Sequence, residues 1–180
     1  NRFHLAVGAF SVIFFPNVLA VLTEMYRCLL PNKQGLVVLS AWGDTTETPA
    51  FQVFPDAFRA VAPELMTGAE TGRITGSPAT LKKLLQDAGF VDIHIEGPVW
   101  RTLRVASAEA YFDRFALASP NARAKIEKLS QLPASDDITM DRVKALKRKV
   151  MELAEARGVA NQDKSIRLPA AAYFAFGTKP

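Results

Sequence analysis

The sequence has few of the residues that form the common catalytic and metal-binding constellations. Its 180 residues include one cysteine and two histidines. A single cysteine excludes an intrachain disulfide framework and favours a reducing compartment, so we expect a cytoplasmic protein. The sequence has no Cys/His metal spacing, no G-x-G-x-x-G pattern and no phosphate-binding Gly-Lys loop. The two histidines fall within predicted strands, and we expect neither a metal ion nor a catalytic triad.

The charge pattern is equally weak as a functional signal. The net charge is +4, with 22% charged residues, and no basic cluster is interleaved with aromatic residues, so no nucleic-acid partner is expected. The basic faces of a helix over residues 141–157 are best interpreted as solvated. A nucleic-acid binder that uses this helix is kept as a third hypothesis of low rank.

No membrane span is predicted. The apolar run over residues 3–22 is interrupted by Pro16-Asn17 and has no charged segment before it. A strand followed by a turn and a helix explains both features.

What the chain does contain is a strand-helix-strand unit at its start. Phe3–Phe10 is almost continuously apolar, which is typical of a strand that is covered on both faces of a parallel sheet. Asn17 is a predicted helix N-cap, and the helix after it has an apolar stripe of Val18, Leu22, Met25 and Leu29. Leu36–Trp42 is a second buried strand. The spacing predicts a right-handed βαβ unit.

The remaining pattern predicts more helices and two more strands. The predicted elements are an amphipathic helix over residues 50–62, a loop over 63–76, a helix from Ser77 to Gly89, a strand over Val91–Val99 nearer the sheet edge, helices throughout 101–160, and a last strand over 165–178. At 180 residues this is one domain, with a βαβαβ core over 1–100, a helical insertion over 101–160 and a final strand over 165–178.

Three segments together resemble a known family. They are Glu24-Met25-Tyr26-Arg27-Cys28-Leu29-Leu30-Pro31, Leu36-Val37-Val38-Leu39-Ser40-Ala41-Trp42-Gly43, and Ser77 to Phe90 with its ending Ala88-Gly89-Phe90. Their order is similar to that in class I S-adenosylmethionine-dependent methyltransferases of the type 11/25-like kind, from the fourth strand onward. Two departures stand out: His4 replaces the usual Asp of that strand, and the turn Asn32–Gly35 is one residue longer.

The resemblance implies the C-terminal half of a Rossmann-like α/β sheet. The strand order would be 4-5-7-6, with helices packed on the sheet and a helical insertion before the last strand. The family's glycine-rich loop and the acidic residue after its second strand are not in these residues. We therefore expect the C-terminal part of a longer domain that binds S-adenosylmethionine poorly or not at all by itself. Strand 3–10 would lie at an exposed edge, so we expect it to pair with a second copy or with another part of the same protein.

The resemblance also implies where ligands would bind. The methionine part of S-adenosylmethionine would lie against the segment after the first strand, which gives Ala9, Phe10, Ser11 and Phe15 as cofactor-binding candidates. Aromatic residues after the second strand and in the insertion would cover a small, partly apolar substrate. These candidates are Trp42, Phe51, Phe54, Phe58 and Tyr111, and a simple core role is an equally weighted alternative.

Besides the low-ranked nucleic-acid binder, two functions remain open from the sequence. The first is methyl transfer to a small-molecule acceptor, in which placement and desolvation carry much of the rate, so that a site need not have a polar signature. The second is a methyltransferase-like interaction or regulatory module without catalysis, which His4 and the longer turn favour mildly. The sequence identifies neither a catalytic residue nor the acceptor atom.

Overall fold

The computed structural model describes residues 2–66, 76–132, 141–163 and 165–180. The strands are β1 (Leu5–Ala9), β2 (Leu36–Trp42), β3 (Val91–Val105), β4 (Val159–Ala160) and β5 (Ile166–Thr178). The helices are α1 (Val18–Cys28), α2 (Pro49–Val61), α3 (Pro78–Asp87), α4 (Ala108–Ala118), α5 (Pro120–Ser130) and α6 (Arg142–Arg157), with short 3-10 helices at Val12–Phe14 and Pro63–Met66. The predicted loop over 63–76 lies largely outside the described residues.

The sheet has the predicted order. Its strands run β1-β2-β5-β3, which corresponds to 4-5-7-6, and β4 pairs with β5. β1 is parallel to β2, with Leu5 beside Leu36 and Ala9 beside Ser40. β5 is antiparallel to β2, with Phe176 beside Val38. The α/β fold class and the edge position of the first strand are therefore confirmed.

The chain divides into two compact units. The first contains residues 1–48, 71–101 and 171–180, and the second contains 49–70 and 102–170. β3 and β5 each contribute residues to both units.

In the first unit, one face of the sheet forms the core. Alternate residues of β2 (Val37, Leu39 and Ala41) are fully buried. They share a hydrophobic cluster with Leu22 of α1, with Leu29 directly after α1, and with Leu81 and Leu85 of α3. Asn17 caps α1, because its side chain accepts a hydrogen bond from the Ala20 N–H at 3.0 Å. The predicted helix stripe and its cap are both confirmed.

The other face of this sheet is open at β1. Leu5 is 51% exposed and Val7 is 57% exposed, and Val38 and Phe176 on the same face are only half-buried. The expectation that Phe3–Phe10 is covered on both faces is therefore wrong. The apolar run predicted a parallel strand correctly, but Leu5 and Val7 are exposed on the face opposite the cluster that contains residues of α1 and α3.

The second unit is mainly helical, and its core includes Tyr111, Leu129, Leu146 and Leu168, none of which is exposed. α2 and α4 both pack against α6. The expectation of helices throughout 101–160 is wrong at both ends, because residues 101–105 continue β3 and Val159–Ala160 form β4. Leu103 and Val105 alternate with Arg104 in burial, which is a strand period.

No helix within the described ranges is long and apolar enough to cross a membrane.

Candidate functional site

The carboxyl ends of β1 and β2 bring Phe10 and Ser40 together. Phe10 directly follows β1 and has a φ of 48°, in the left-handed region. Its N–H donates to the carbonyl oxygen of Ser40 at 3.0 Å and to Ser40 Oγ at 3.1 Å. Ser40 is only 6% exposed. A left-handed conformation costs a residue with a Cβ about 1–2 kcal/mol, so the neighbouring bonds must hold Phe10 in place.

The ring of Phe10 stacks on that of Trp42 at the same ends of the strands. The ring centroids are 4.3 Å apart and the planes differ by 28°, and both residues are half-buried. The main chain of Trp42 is fixed as well, since its carbonyl oxygen accepts from the Gly76 N–H at 2.8 Å. Ligands of open α/β sheets bind beyond the carboxyl ends of the strands, and aromatic faces attract cations. This aromatic pair is therefore suited to a cationic or planar group.

The other three cofactor candidates lie near Phe10 in the chain and differ in burial. Ala9 is exposed at the end of β1. Ser11 is half-buried, and its carbonyl oxygen accepts from the Phe14 N–H at 2.9 Å, which starts the short 3-10 helix. Phe15 packs against the hydrophobic cluster of the first unit. No ligand tests these four residues, and their cofactor role stays a prediction.

Four of the five substrate candidates lie in the second unit, where they form an aromatic cluster. Phe54 lies 6.1 Å from Tyr111 and 6.2 Å from Phe58 between ring centroids. Tyr111 is fully buried, and its hydroxyl donates to the Ala50 carbonyl oxygen at 2.6 Å. Phe54, Phe58 and Tyr111 are core residues of this unit, whereas Phe51 is half-buried. Their contact with a substrate stays a prediction.

The sequence reasoning missed a partly buried tyrosine-carboxylate pair, formed by Tyr173 and Glu47, after β2. The hydroxyl of Tyr173 donates to Glu47 Oε1 at 2.6 Å, and the Asp44 N–H donates to Glu47 Oε2 at 3.3 Å. The hydrogen bond to this carboxylate, with burial adding to it, raises the pKa of Tyr173 to about 12. The signal that the sequence offers for this pair is the polar turn Asp44–Thr48, which directly follows the strand Leu36–Trp42 and its Gly43.

The same turn is held by its own side chains. Asp44 Oδ1 accepts from the N–H of Thr46 at 2.8 Å and from the Thr46 hydroxyl at 2.6 Å. These bonds, the hydroxyl first, lower the pKa of Asp44. The main chain of Glu47 is fixed too, because its carbonyl oxygen accepts from the Ala171 N–H at 2.9 Å. Side-chain and main-chain hydrogen bonds therefore fix the course of the segment after β2.

The part of the chain that the structure describes contains no candidate metal site. No group of three His, Cys, Asp or Glu side chains there could hold a metal ion. His4 is exposed, and His94 lies beside Glu96 with 65% of its side chain exposed.

Neither a family model nor a curated protein matches the sequence. Similar solved structures include BH2331 from Bacillus halodurans, provisionally named a methyltransferase, at 18% identity and a TM-score of 0.49. YcgJ from Bacillus subtilis is similar at 15% identity and a TM-score of 0.48. Phosphoethanolamine N-methyltransferase 2 from Haemonchus contortus, solved with phosphomonomethylethanolamine and S-adenosylhomocysteine, is similar at 16% identity and a TM-score of 0.42.

These similarities cover 99% of this chain but 65%, 64% and 34% of the three other chains. The chain thus spans just under two thirds of the length of the first two. Two of the three carry methyltransferase names, the class that the sequence resembles. At such low identities, the fold is defined by the order and directions of the strands themselves.

Proposed function

We propose that this chain is the C-terminal part of an S-adenosylmethionine-dependent methyltransferase that acts on a small-molecule acceptor. The observation that carries the proposal is the Phe10–Trp42 stack at the carboxyl ends of two parallel strands. It stands in a sheet whose last strand is antiparallel and lies between β2 and β3. The sequence resemblance to the family supports the same function.

The residues present fit one end of the cofactor. Phe10 and Trp42 offer aromatic surface to a sulfonium, with Ala9, Ser11 and Phe15 around the same turn. The bound cofactor would supply an electrophilic methyl group, and the residues here would position it and exclude water. The glycine-rich loop and the acidic residue that the family uses for the rest of the cofactor are not in this sequence. The chain by itself is therefore expected to bind S-adenosylmethionine poorly or not at all.

The proposed acceptor is a small, partly apolar molecule. Trp42 in the first unit and Phe51 in the second are each half-buried, so each has side-chain surface on its own unit that a substrate could contact. Phe54, Phe58 and Tyr111 would support such a contact from within the core. We place the protein in the cytoplasm because its single cysteine suits a reducing compartment.

A titration with S-adenosylhomocysteine tests the proposal. The natural chain that carries the residues upstream of Asn1 should bind it in a calorimeter, whereas the present chain should bind weakly or not at all. If the longer chain does not bind, the methyltransferase proposal is wrong. Binding without methyl transfer to any acceptor in a broad panel would favour the alternative, a non-catalytic regulatory module.

We also propose that the free edge of β1 pairs with a second copy. The Leu36 N–H donates to the His4 carbonyl oxygen, and the Phe10 N–H donates to that of Ser40, so the main-chain groups of Leu5, Val7 and Ala9 point away from β2. An antiparallel pairing centred on Val7 places Leu5 of one copy opposite Ala9 of the other. A large side chain then meets a small one, and the exposed apolar face becomes continuous.

The mass in solution tests this pairing. Light scattering should give twice the chain mass of 19.7 kDa. Val7→Lys should restore the single-chain mass, since it places charges at the two-fold axis. Leu117→Lys is the matched control, because Leu117 is 74% exposed on α4 and should leave the dimer intact. A single-chain mass for the unmodified protein at its highest soluble concentration would rule out the pairing.

A further inference from the structure

We infer that Ser40 is a positioning residue, which holds Phe10 in its left-handed conformation so that the Phe10 ring lies against Trp42. The role in ligand binding rests on the proposed function, whereas the positioning of the ring does not. Ser40 is in the middle of the sheet, beside Ala9 on one side and Phe174 on the other. Ser40 is buried there, with only 6% of its surface exposed.

The side chain of Ser40 adds something that its main chain does not. The bond from the Phe10 N–H to the Ser40 carbonyl oxygen, at 3.0 Å, continues the parallel ladder and is open to any residue at position 40. The second acceptor, Ser40 Oγ at 3.1 Å, requires a side-chain oxygen there. Both acceptors bind the same N–H. Together they fix the direction of the peptide group that joins Ala9 to Phe10.

The identity of residue 10 indicates why this fixing matters. A strand that only needs to end in a left-handed turn is best served by Gly, Asn or Asp, which adopt that conformation most readily. Here a phenylalanine is held at a φ of 48° instead, and the result is a ring stacked at 4.3 Å on Trp42. The backbone strain is thus associated with the placement of an aromatic ring at the ligand-binding end of the strands.

The competing explanation is that Ser40 only stabilises the strand end. Ser77 gives a matched control for it, because it lies in the same unit and its hydroxyl also accepts from a main-chain N–H, that of Thr80 at 3.2 Å. Ser77→Ala should lower stability by a similar amount without touching Phe10. Ser40→Thr, which keeps the oxygen, is the conservative variant that should rescue the position of the ring.

The experiment reads Trp42 and the Phe10 amide directly. The chain has two tryptophans, so Trp100→Phe leaves Trp42 as the sole reporter. In that background, Ser40→Ala should abolish the near-ultraviolet circular dichroism band of the stacked indole and speed exchange of the Phe10 amide by about tenfold, or 1.4 kcal/mol. Ser40→Thr and Ser77→Ala should keep both signals. An unchanged band and exchange rate in Ser40→Ala would overturn the inference.

A second variant keeps the test decisive if Ser40→Ala does not fold. Phe10→Asn relieves the backbone strain and removes the ring, so it should fold, lose the Trp42 band, and keep a protected amide at position 10 through Ser40. A fast-exchanging amide in this folded variant would show that the Ser40 bonds do not hold the turn, and would overturn the inference.

Ligand binding separates the two proposals. In the longer natural chain, Ser40→Ala should weaken S-adenosylhomocysteine binding by about tenfold, or 1.4 kcal/mol, while Ser77→Ala leaves it unchanged. Equal binding by Ser40→Ala would refute the role in binding and leave the proposed function standing. The opposite result is also possible: the unmodified longer chain does not bind S-adenosylhomocysteine, but its Trp42 band still depends on Ser40. That result would refute the proposed function and leave the positioning of Phe10 standing.

Discussion

Lys179, the residue directly after β5, is a buried cation whose side chain binds the C-terminal end of α1. It is only 7% exposed, and its ammonium donates to the carbonyl oxygens of Tyr26 at 2.8 Å and Leu29 at 2.9 Å. It also lies 4.6 Å from the centroid of the Tyr26 ring. The last carbonyls of a helix carry its negative end, so the charge is well placed. Lys179→Met keeps most of the side-chain volume and removes the donors.

The structure sets the size of the expected loss. A hydrogen bond to a charged group contributes about 1.5–3 kcal/mol, and two bonds from one ammonium are not additive. We expect Lys179→Met to lower the free energy of unfolding by about 3 kcal/mol, because it leaves two carbonyls without this donor. For a chain of this size that loss corresponds to a melting temperature lower by about 6–12 °C.

Urea and thermal unfolding followed by circular dichroism measure this loss. Lys83→Met is the matched control, because the Lys83 ammonium binds Asp87 at 2.9 Å on an exposed surface, with 74% of the Lys83 side chain accessible. Such a pair contributes about 0–1 kcal/mol. A Lys179→Met protein within about 1 kcal/mol of the unmodified chain would refute the reasoning, since water would then satisfy both carbonyls.

Three smaller predictions follow. Tyr111→Phe removes the hydroxyl that donates to the Ala50 carbonyl oxygen and should destabilise by about 1–2 kcal/mol in urea unfolding; no change would mean that the bond makes no net contribution. Asn17→Ala removes the cap of α1 and should cost about 1 kcal/mol, with an unchanged urea midpoint counting against it. Ultraviolet titration should place the pKa of Tyr173 at about 12, and Glu47→Gln should lower it. Because folding raises this pKa from 10.0, the stabilising effect of the hydrogen bond on the folded state is complete below pH 10 and is lost as the pH rises towards 12. A titration at the ordinary tyrosine pKa would contradict the hydrogen bond to Glu47.

The helices and most strands of the first unit followed from local signals. Asn17 and Ser77 are caps whose side chains accept the predicted main-chain bonds, and β2 has the bounds that its apolar run predicts. The end of β3 could not be found in this way, because the alternation of Leu103, Arg104 and Val105 is too short to distinguish a strand from the start of the helix that follows at Ala108. The uncovered face of β1 was equally hidden, since an apolar run does not say on which sides helices will pack.

The candidate site could be predicted only in part. The sequence placed Phe10 and Trp42 at the ends of adjacent strands, because parallel strands end at the same edge. Their stacking depends on a parallel register that sets Ala9 beside Ser40 and on a left-handed residue 10, and neither has a local signal. The Tyr173–Glu47 bond joins residues far apart in the sequence. Only the folded sheet brings them together.

The position of β5 has a consequence for how the protein is made. This strand follows every other described element in the sequence, yet it lies between β2 and β3 in the sheet. During translation, at about 5–20 residues per second, the ribosome releases β2 and β3 well before their common neighbour exists. The nascent chain must keep this gap unfilled for several seconds, so β2 and β3 can join one sheet only when synthesis of the described residues is nearly complete.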